Sequence, residues 1–480
     1  MRLTLKLALA ASFLALITIL AWGLANKKTR YFDDVATLLT NNGASTQIHE
    51  HWKNAITTPN WKTAQYWQEV FHKTERFNYQ AVSYKLTTRD IHPPLYFWLG
   101  HTWQSIFGFG YWSLVVFQFI LFAVFILLLG KWLNTLSERP KPWAYLLTIL
   151  ACFHPTFLDL FFCLRHYVLL GILMLGFILS DKRLNHKFSI KHLLFWDACI
   201  LGGLLTHYYF GLFLACWFLV ELLEKKFNRT SLMHAAMALT TTVFCVVVFQ
   251  DFFSSLLRPK TQMGHGVDVN YAFGLPFRWF LPNRVFKLLP IWVCLTAWPL
   301  AFTIFIFLRK KLKGIAKKAV FSVLIFGVFT SLLGYLGKLP PHSFTENRYH
   351  IVVLMVLLPV LLTLIANGLP KLKWLLVAYS MGYLAFNFMY LRTQPINWPT
   401  NNKLIVISKY QPDFYNLVMN LSNSQEVLLL KAPSQLAKLD LTNALILTEK
   451  RITISELEKA NLHLTEKGEF YNFSVFEILK

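Results

Sequence analysis

Residues 111–130 read YWSLVVFQFILFAVFILLLG, with no charged side chain among them. A helix needs about 20 apolar residues to cross the roughly 30 Å hydrocarbon layer of a bilayer, so this stretch reads as a membrane span. Working outward, long apolar runs at 5–24, 143–163, 232–249, 288–308, 319–336, 349–366 and 374–391 repeat the pattern, and shorter ones lie at 167–180, 193–205 and 208–223. Counting each run as one crossing gives about eleven helices.

The composition points the same way. Of 480 residues, 55% are hydrophobic and only 15% charged, against roughly 25% charge in a soluble globular chain. That excludes a soluble enzyme, a disordered protein and a coiled coil. The net charge of +23 would suit nucleic acid, but Lys and Arg gather in short tracts between apolar runs, where they act first as topology signals. No nucleic-acid partner is expected. Cys152, Cys163, Cys199, Cys216, Cys245 and Cys294 all lie in apolar segments, so neither a disulfide framework nor a Cys-ligated metal is expected.

The basic tracts fix the orientation. They fall at 131–141, 182–191, 225–229, 309–318 and 371–373. With Met1 inside, every tract is cytoplasmic, and an odd number of crossings puts the C-terminus outside. Counting 93–107 as a crossing would place 131–141 outside, so that segment reads as a helix lying in the outer interface. Gly23-Leu24-Ala25 resembles a cleavage site, but the apolar run before it exceeds the 7–15 residues typical of a signal peptide, and it reads as a retained anchor. The expected fold class is therefore an all-α polytopic membrane protein. Residues 1–391 form the membrane module, with an outer loop at 26–92 and an interfacial helix at 93–107. The tail alternates β-like runs (404–408, 427–430, 444–448) with helix-like ones (413–421, 454–461). Residues 392–480 thus read as a small extracytoplasmic α/β domain.

In this topology the residues able to do chemistry gather on one side. Asp33-Asp34 opens the long outer loop. Two adjacent carboxylates near a membrane are costly unless paired, protonated or bound to a cation, although a solvated loop start or a helix N-cap also explains them. Asp90-Ile91-His92-Pro93-Pro94-Leu95-Tyr96-Phe97-Trp98 starts a helix well, with prolines in its first turn; helix initiation does not account for His92. Carboxylate and imidazole suit Zn, Mn or Mg to different degrees, so Asp90 and His92 are able to join Asp33 or Asp34 around a divalent ion. Arg165-His166-Tyr167 and Thr206-His207-Tyr208-Tyr209 mark two further outer junctions. The run 167–180 spans only about 21 Å, so Arg165 and His207 are expected in a recess below the surface, where an ionisable group is a functional candidate and a snorkelling Arg the plain alternative. Glu346-Asn347-Arg348-Tyr349 opens another helix; Arg348 is able to clamp a phosphate with its planar guanidinium, or simply to pair with Glu346. No P-loop, dinucleotide glycine pattern or nucleophile elbow is present.

Together these residues resemble the GT-C superfamily of membrane glycosyltransferases, in particular the protein O-mannosyltransferase and lipid A aminoarabinose transferase group. The resemblance runs from about Tyr31 to Tyr349. It rests on the acidic pair Asp33-Asp34, the His92-Pro93-Pro94-Leu95-Tyr96-Phe97-Trp98 stretch, Arg165-His166-Tyr167, His207-Tyr208 and Arg348-Tyr349. One departure is Asp34, where the family more often has Glu. The resemblance implies a multi-pass enzyme of the bacterial plasma (inner) membrane that takes a sugar from a polyprenyl-phosphate donor and passes it, with inversion, to an acceptor in the cell envelope: a glycan, a lipid or a protein. It implies Asp33 and Asp34 as catalytic groups, with Asp33 the general base. Arg165, Arg348, His92, His207, Tyr167 and Tyr349 would surround the donor phosphate. For some relatives it implies a divalent ion (Mg, Mn or Zn), for which Asp34 and His92 are the candidates here. The competing reading is a non-enzymatic transporter or lipid-binding protein with an outer domain. It keeps the helices but gives no reason for acids and bases to collect on one outer face. The chain shows no internal repeat of the kind inverted-repeat transporters carry.

The topology is directly checkable. Reporter fusions at Lys313 and at the C-terminus should give opposite readouts, cytoplasmic and extracytoplasmic. Equal readouts overturn the crossing count and, with it, the common outer face.

Overall fold

The structure is a computed structural model. It describes residues 3–26, 32–88, 92–136, 141–186, 189–224, 229–254, 271, 273–280, 286–308, 312, 314–336, 339, 347–368, 382, 403–408, 411–438, 444–449, 464–470 and 473–478. The chain is mostly helical and divides into two compact units.

The first unit comprises Met1–Leu24, Leu86–Tyr96 and Val116–Leu391. Among the described residues, Lys6–Leu24, Tyr111–Leu136, Ser231–Val248 and Gly314–Tyr335 are four helices able by length and composition to cross a membrane. Leu127, Leu239 and Val247 on these helices stand 64%, 65% and 65% exposed, an apolar surface of the kind a bilayer covers. The run 143–163, expected as one crossing, is in two pieces. Helices Lys141–Cys152 and Pro155–Phe162 meet at 75°, and the count of four becomes five if the pair is one broken span. The break has a local cause. Pro155 lacks the N–H that would continue the first helix, and His154 caps the second by accepting the Thr156 N–H at Nδ1, 3.2 Å away. Tyr208–Leu223, Val293–Phe307 and Ile351–Ala366 are shorter apolar helices. Apart from Gly382, the run 374–391 lies outside the described residues, as do Asp90 and Glu346. Inside the unit one apolar core packs large rings such as Phe125, Phe157, Phe177, Trp196, Phe210 and Trp217, all fully buried.

The second unit comprises Ala25–Lys85, Phe97–Val115 and Arg392–Lys480. Its sheet has six strands: β1 (Lys62–Thr63), β2 (Lys403–Ile407), β3 (Glu426–Leu430), β4 (Ala444–Glu449), β5 (Leu464–Phe470) and β6 (Phe473–Ile478), in the order β1-β3-β2-β4-β6-β5. Strand β2 runs parallel to both β3 and β4, so its apolar residues are buried on both faces, as expected of a central parallel strand. The expected strands of the tail are therefore present, and helix Gln411–Val418 fills the connection from β2 to β3; the expected helix at 454–461 lies outside the described residues.

The segment 26–92 is far from an open loop. It carries helices Phe32–Asn41, Ser45–Thr57, Ala64–Phe71 and Tyr79–Thr88. Most of it belongs to the same unit as the tail: β1 pairs antiparallel with β3, Lys62 opposite Val427, and Phe414 receives the rings of Trp52 and Trp67 at 5.3 and 5.0 Å. The segment expected at 93–107 is helical over Leu95–Phe107.

Within that helix His101 is fully buried, and its Nδ1–H donates to the Asn41 carbonyl at 2.7 Å. Among the described residues no hydrogen-bonding partner faces Nε2. Burial holds the imidazole below its ordinary pKa, so the folded unit binds fewer protons than the unfolded chain. The stability contributed by neutral His101 is full above about pH 6.5 and is lost as pH falls below it. Thermal unfolding of the detergent-solubilised protein should show this loss in the wild type, and a flatter pH dependence in His101→Asn, which keeps a donor for Asn41 but cannot titrate. Identical pH profiles would remove His101 from the account.

Candidate functional site

The first unit brings three chain junctions together, and the hydrogen bonds that do so are specific. The backbone N–H of Leu95 donates to the Leu205 carbonyl at 2.9 Å, fastening the start of the interfacial helix to the turn that holds His207. One residue on, the Tyr96 hydroxyl donates to Gln118 Oε1 at 3.0 Å. Gln118 Nε2 in turn donates to the carbonyls of Leu160 and of Cys163, the latter at 3.0 Å. Tyr96 and Gln118 are fully buried. Gln118 therefore ties the interfacial helix to the turn that carries Arg165 and His166. At the third junction the His207 N–H donates to Gly203 O at 3.0 Å. A side chain at Gly203 would put its Cβ 2.3 Å from the Phe210 ring, so only glycine allows this tight connection between helices Ile190–Leu204 and Tyr208–Leu223.

The result is a cluster of imidazoles and phenols. His92 lies 4.6 Å from His166 and 6.3 Å from His207, ring centre to ring centre, and His166 lies 4.8 Å from His207. Tyr167 is 5.6 Å from His207 and 5.1 Å from Tyr349, and Tyr209 stands 4.6 Å from His207 and 6.4 Å from Tyr349. Tyr349 sits in the 3-10 turn Asn347–His350; of Arg348 in the same turn only the backbone is described. Arg165 is 5% exposed and His166 fully buried. His207 caps its helix by accepting the Tyr209 N–H at Nδ1, 3.0 Å away, which leaves its proton on Nε2. Burial, and then His92, hold His207 well below the ordinary imidazole range. It is a neutral donor at physiological pH.

Of the residues expected to act together, His92, Arg165, Tyr167, His207 and Tyr349 therefore lie in one unit, and the four rings among them share one cluster. Asp33 and Asp34 lie in the other unit, in the first turn of helix Phe32–Asn41, where a carboxylate meets the positive end of the helix dipole. Asp34 is fully buried and Asp33 half-buried. The expected metal pair thus divides between the units. Among the described residues no group of three or more His, Cys, Asp or Glu side chains is placed to hold a metal ion, the histidine trio included.

His166 and Tyr209 stand inside motifs the sequence displays, Arg165-His166-Tyr167 and Thr206-His207-Tyr208-Tyr209, although no role in the site is expected of them from sequence. Gln118 is a lone amide in an apolar helix, which is itself a signal. His154, Arg278 and His350 are buried at 4%, 3% and 4% exposure, with His350 in electrostatic reach of the other two, and no motif announces them.

Comparison with known protein families, curated proteins and solved structures finds no match for the chain.

Gln118 gives the site its test. Gln118→Leu leaves two buried carbonyls and one hydroxyl without their donor or acceptor, at about 1–3 kcal/mol for each unsatisfied group, whereas Tyr96→Phe deletes one hydroxyl and costs about 1 kcal/mol. Unfolding in detergent should therefore rank Gln118→Leu well below Tyr96→Phe. Equal stabilities would show that the bridge does not hold the junctions.

Proposed function

We propose that this chain is an integral-membrane glycosyltransferase of GT-C type that uses a polyprenyl-phosphate-linked sugar on the extracytoplasmic face of a bacterial plasma membrane. Eleven crossings, a cytoplasmic N-terminus and an envelope acceptor belong to the same proposal. The observation that carries it is the cluster around His166 and His207. Arg165, next to His166 in the chain and buried, would supply a positive charge. The His207 imidazole is a neutral donor, and the phenols of Tyr167, Tyr209 and Tyr349 lie within the same few ångströms. Helices Tyr167–His186 and Tyr208–Leu223 both begin here, so the positive ends of their dipoles favour an anion as well. A phosphate ester in an apolar setting needs this combination.

In the proposed reaction the acceptor hydroxyl oxygen attacks the anomeric carbon as its proton passes to the Asp33 carboxylate. The bond from that carbon to the phosphate oxygen breaks, and the lipid phosphate leaves with the electron pair. Attack from the face opposite the leaving group gives inversion. Arg165 and Arg348, with the hydroxyl and imidazole donors, would bear the charge that develops on the phosphate. Asp34 beside Asp33 would tune the base. No step is routed through a metal.

The test is transfer of labelled sugar from a synthetic polyprenyl-phosphate donor to membrane lipids and proteins. Asp33→Asn, at matched protein level, should lose about 10²–10⁴-fold in rate while donor binding persists. Arg165→Ala should weaken donor binding and turnover together. Wild-type turnover in Asp33→Asn removes that residue from the base role. Donor binding without any transfer by the wild type would favour a lipid-binding protein.

A further inference from the structure

The helices that bring the candidate site together at one end are joined at the other by a buried ionic contact. Helix Tyr167–His186 starts beside His166 and carries Asp181; helix Tyr208–Leu223 starts beside His207 and carries Glu221. The two acids lie at nearly the same distance along their helices, 14 residues from Tyr167 and 13 from Tyr208, or about 20 Å by helical rise. Between them stands Lys318 of helix Gly314–Tyr335. Its ammonium is 3.5 Å from Asp181 Oδ2 and 3.2 Å from Glu221 Oε2, and 4.3 Å above the Trp217 ring. Lys318, Asp181 and Glu221 are 8%, 2% and 8% exposed. A fourth helix, Arg229–Val248, adds Ser231, whose hydroxyl donates to Glu221 Oε1 at 3.0 Å, and His234 near both acids. On the rim Lys317 pairs with Glu224 at 2.8 Å.

We infer that Lys318 is a positioning residue: by holding Asp181 and Glu221 together it sets the register of two helices and so fixes the meeting of His166–Tyr167 with His207 at their opposite ends. Apolar packing alone is a weak register device for such helices. Their surfaces are apolar nearly all round, and a helix in lipid gains little from exchanging one apolar neighbour for another. A buried cation facing two carboxylates is different. Sliding either helix by one turn, about 5.4 Å, separates charges in a medium of low dielectric, and breaking such a contact costs more than it contributes when intact. Helix Gly314–Tyr335 also leans on the site directly, through Phe326 at 5.6 Å from Tyr209, so the helix that carries Lys318 touches both ends. The inference about register stands on the structure; its consequence for catalysis rests on the donor-site reading above.

The experiment separates the two. Full-length protein labelled with 3-fluorotyrosine reports on Tyr167 and Tyr349, whose fluorine resonances are assigned by Tyr167→Phe and Tyr349→Phe. Lys318→Met removes the cation. The triple variant Lys318→Met, Asp181→Asn, Glu221→Gln removes the attraction without stranding charge, and it decides the matter if Lys318→Met does not fold. Lys318→Arg restores the contact. Both resonances should shift in the Met and triple variants and keep their wild-type positions in Lys318→Arg. Transfer by the folded triple variant should show reduced turnover. A folded triple variant with both lines at wild-type positions overturns the inference. Absence of transfer by the wild type removes the functional reading and leaves the fluorine lines to judge this one.

Discussion

Two carbonyl groups, those of Leu160 and Cys163, end a short helix in surroundings with no route to water, and the Gln118 side chain accepts the task of satisfying them. In the apolar part of a membrane protein an unpaired backbone group costs several kcal/mol, so the chain has little freedom once it has turned at His154-Pro155. The turn places Arg165 and His166 where the Gln118 amide can reach the carbonyls behind them. The free oxygen of the same amide takes the Tyr96 hydroxyl, which brings in the start of the interfacial helix and, with it, His92. One buried amide thereby decides where three separate parts of the sequence meet. The histidine–tyrosine cluster is a consequence of how helix ends are closed off from lipid.

The same helices carry polar groups at both ends for different reasons. At the site end His207 is desolvated and holds its Nδ1 against the Tyr209 N–H, so it offers a neutral hydrogen-bond donor. At the far end the charges are opposite in sign and in contact, Lys318 with Asp181 and Glu221. An ion-paired end resists sliding, while the other end is held by ring packing and helix capping. Placing both on helices Tyr167–His186 and Tyr208–Leu223 lets the rigid element between them transmit position without any side chain bridging the whole distance.

The sequence made some of this legible and hid the rest for identifiable reasons. The span 111–130 and the strands near 404, 427 and 444 are readable because their periodicity is local and uninterrupted. The broken pair around His154-Pro155 is hidden by the continuous hydrophobicity of 143–163, although Pro155 is itself the signal. The segment 26–92 reads as a loop because its helices are polar on average; their buried positions, such as Val35, Leu38 and Leu39 or Trp67, Val70 and Phe71, become visible only once a partner surface is known. That partner lies hundreds of residues away, in the pairing of Lys62 with Val427, and no local pattern foretells it. Lys318 read as one more member of a basic tract because its carboxylate partners sit at the ends of other helices.

The distant pairing has a consequence for the acidic residues. Helix Phe32–Asn41, which carries Asp33 and Asp34, packs against helix Gln411–Val418 of the tail. That tail helix is held in turn by the rings of Trp52, Trp67 and Phe71 and by the Gln68 amide donating to the Val418 carbonyl at 3.0 Å. Closing so long a stretch of chain is entropically cheap, since the cost grows only with the logarithm of its length, while the contacts it permits are large aromatic ones. The tail is thus a support for the segment after the first helix, and the conformation of the acidic pair depends on residues beyond 403. The apolar positions of this segment, such as Val35, Leu38 and Leu39, have too little surface among themselves to form a core. Folding it onto the sheet of residues 403–478 supplies that core, which gives a physical reason for two stretches so far apart in the sequence to fold as one unit.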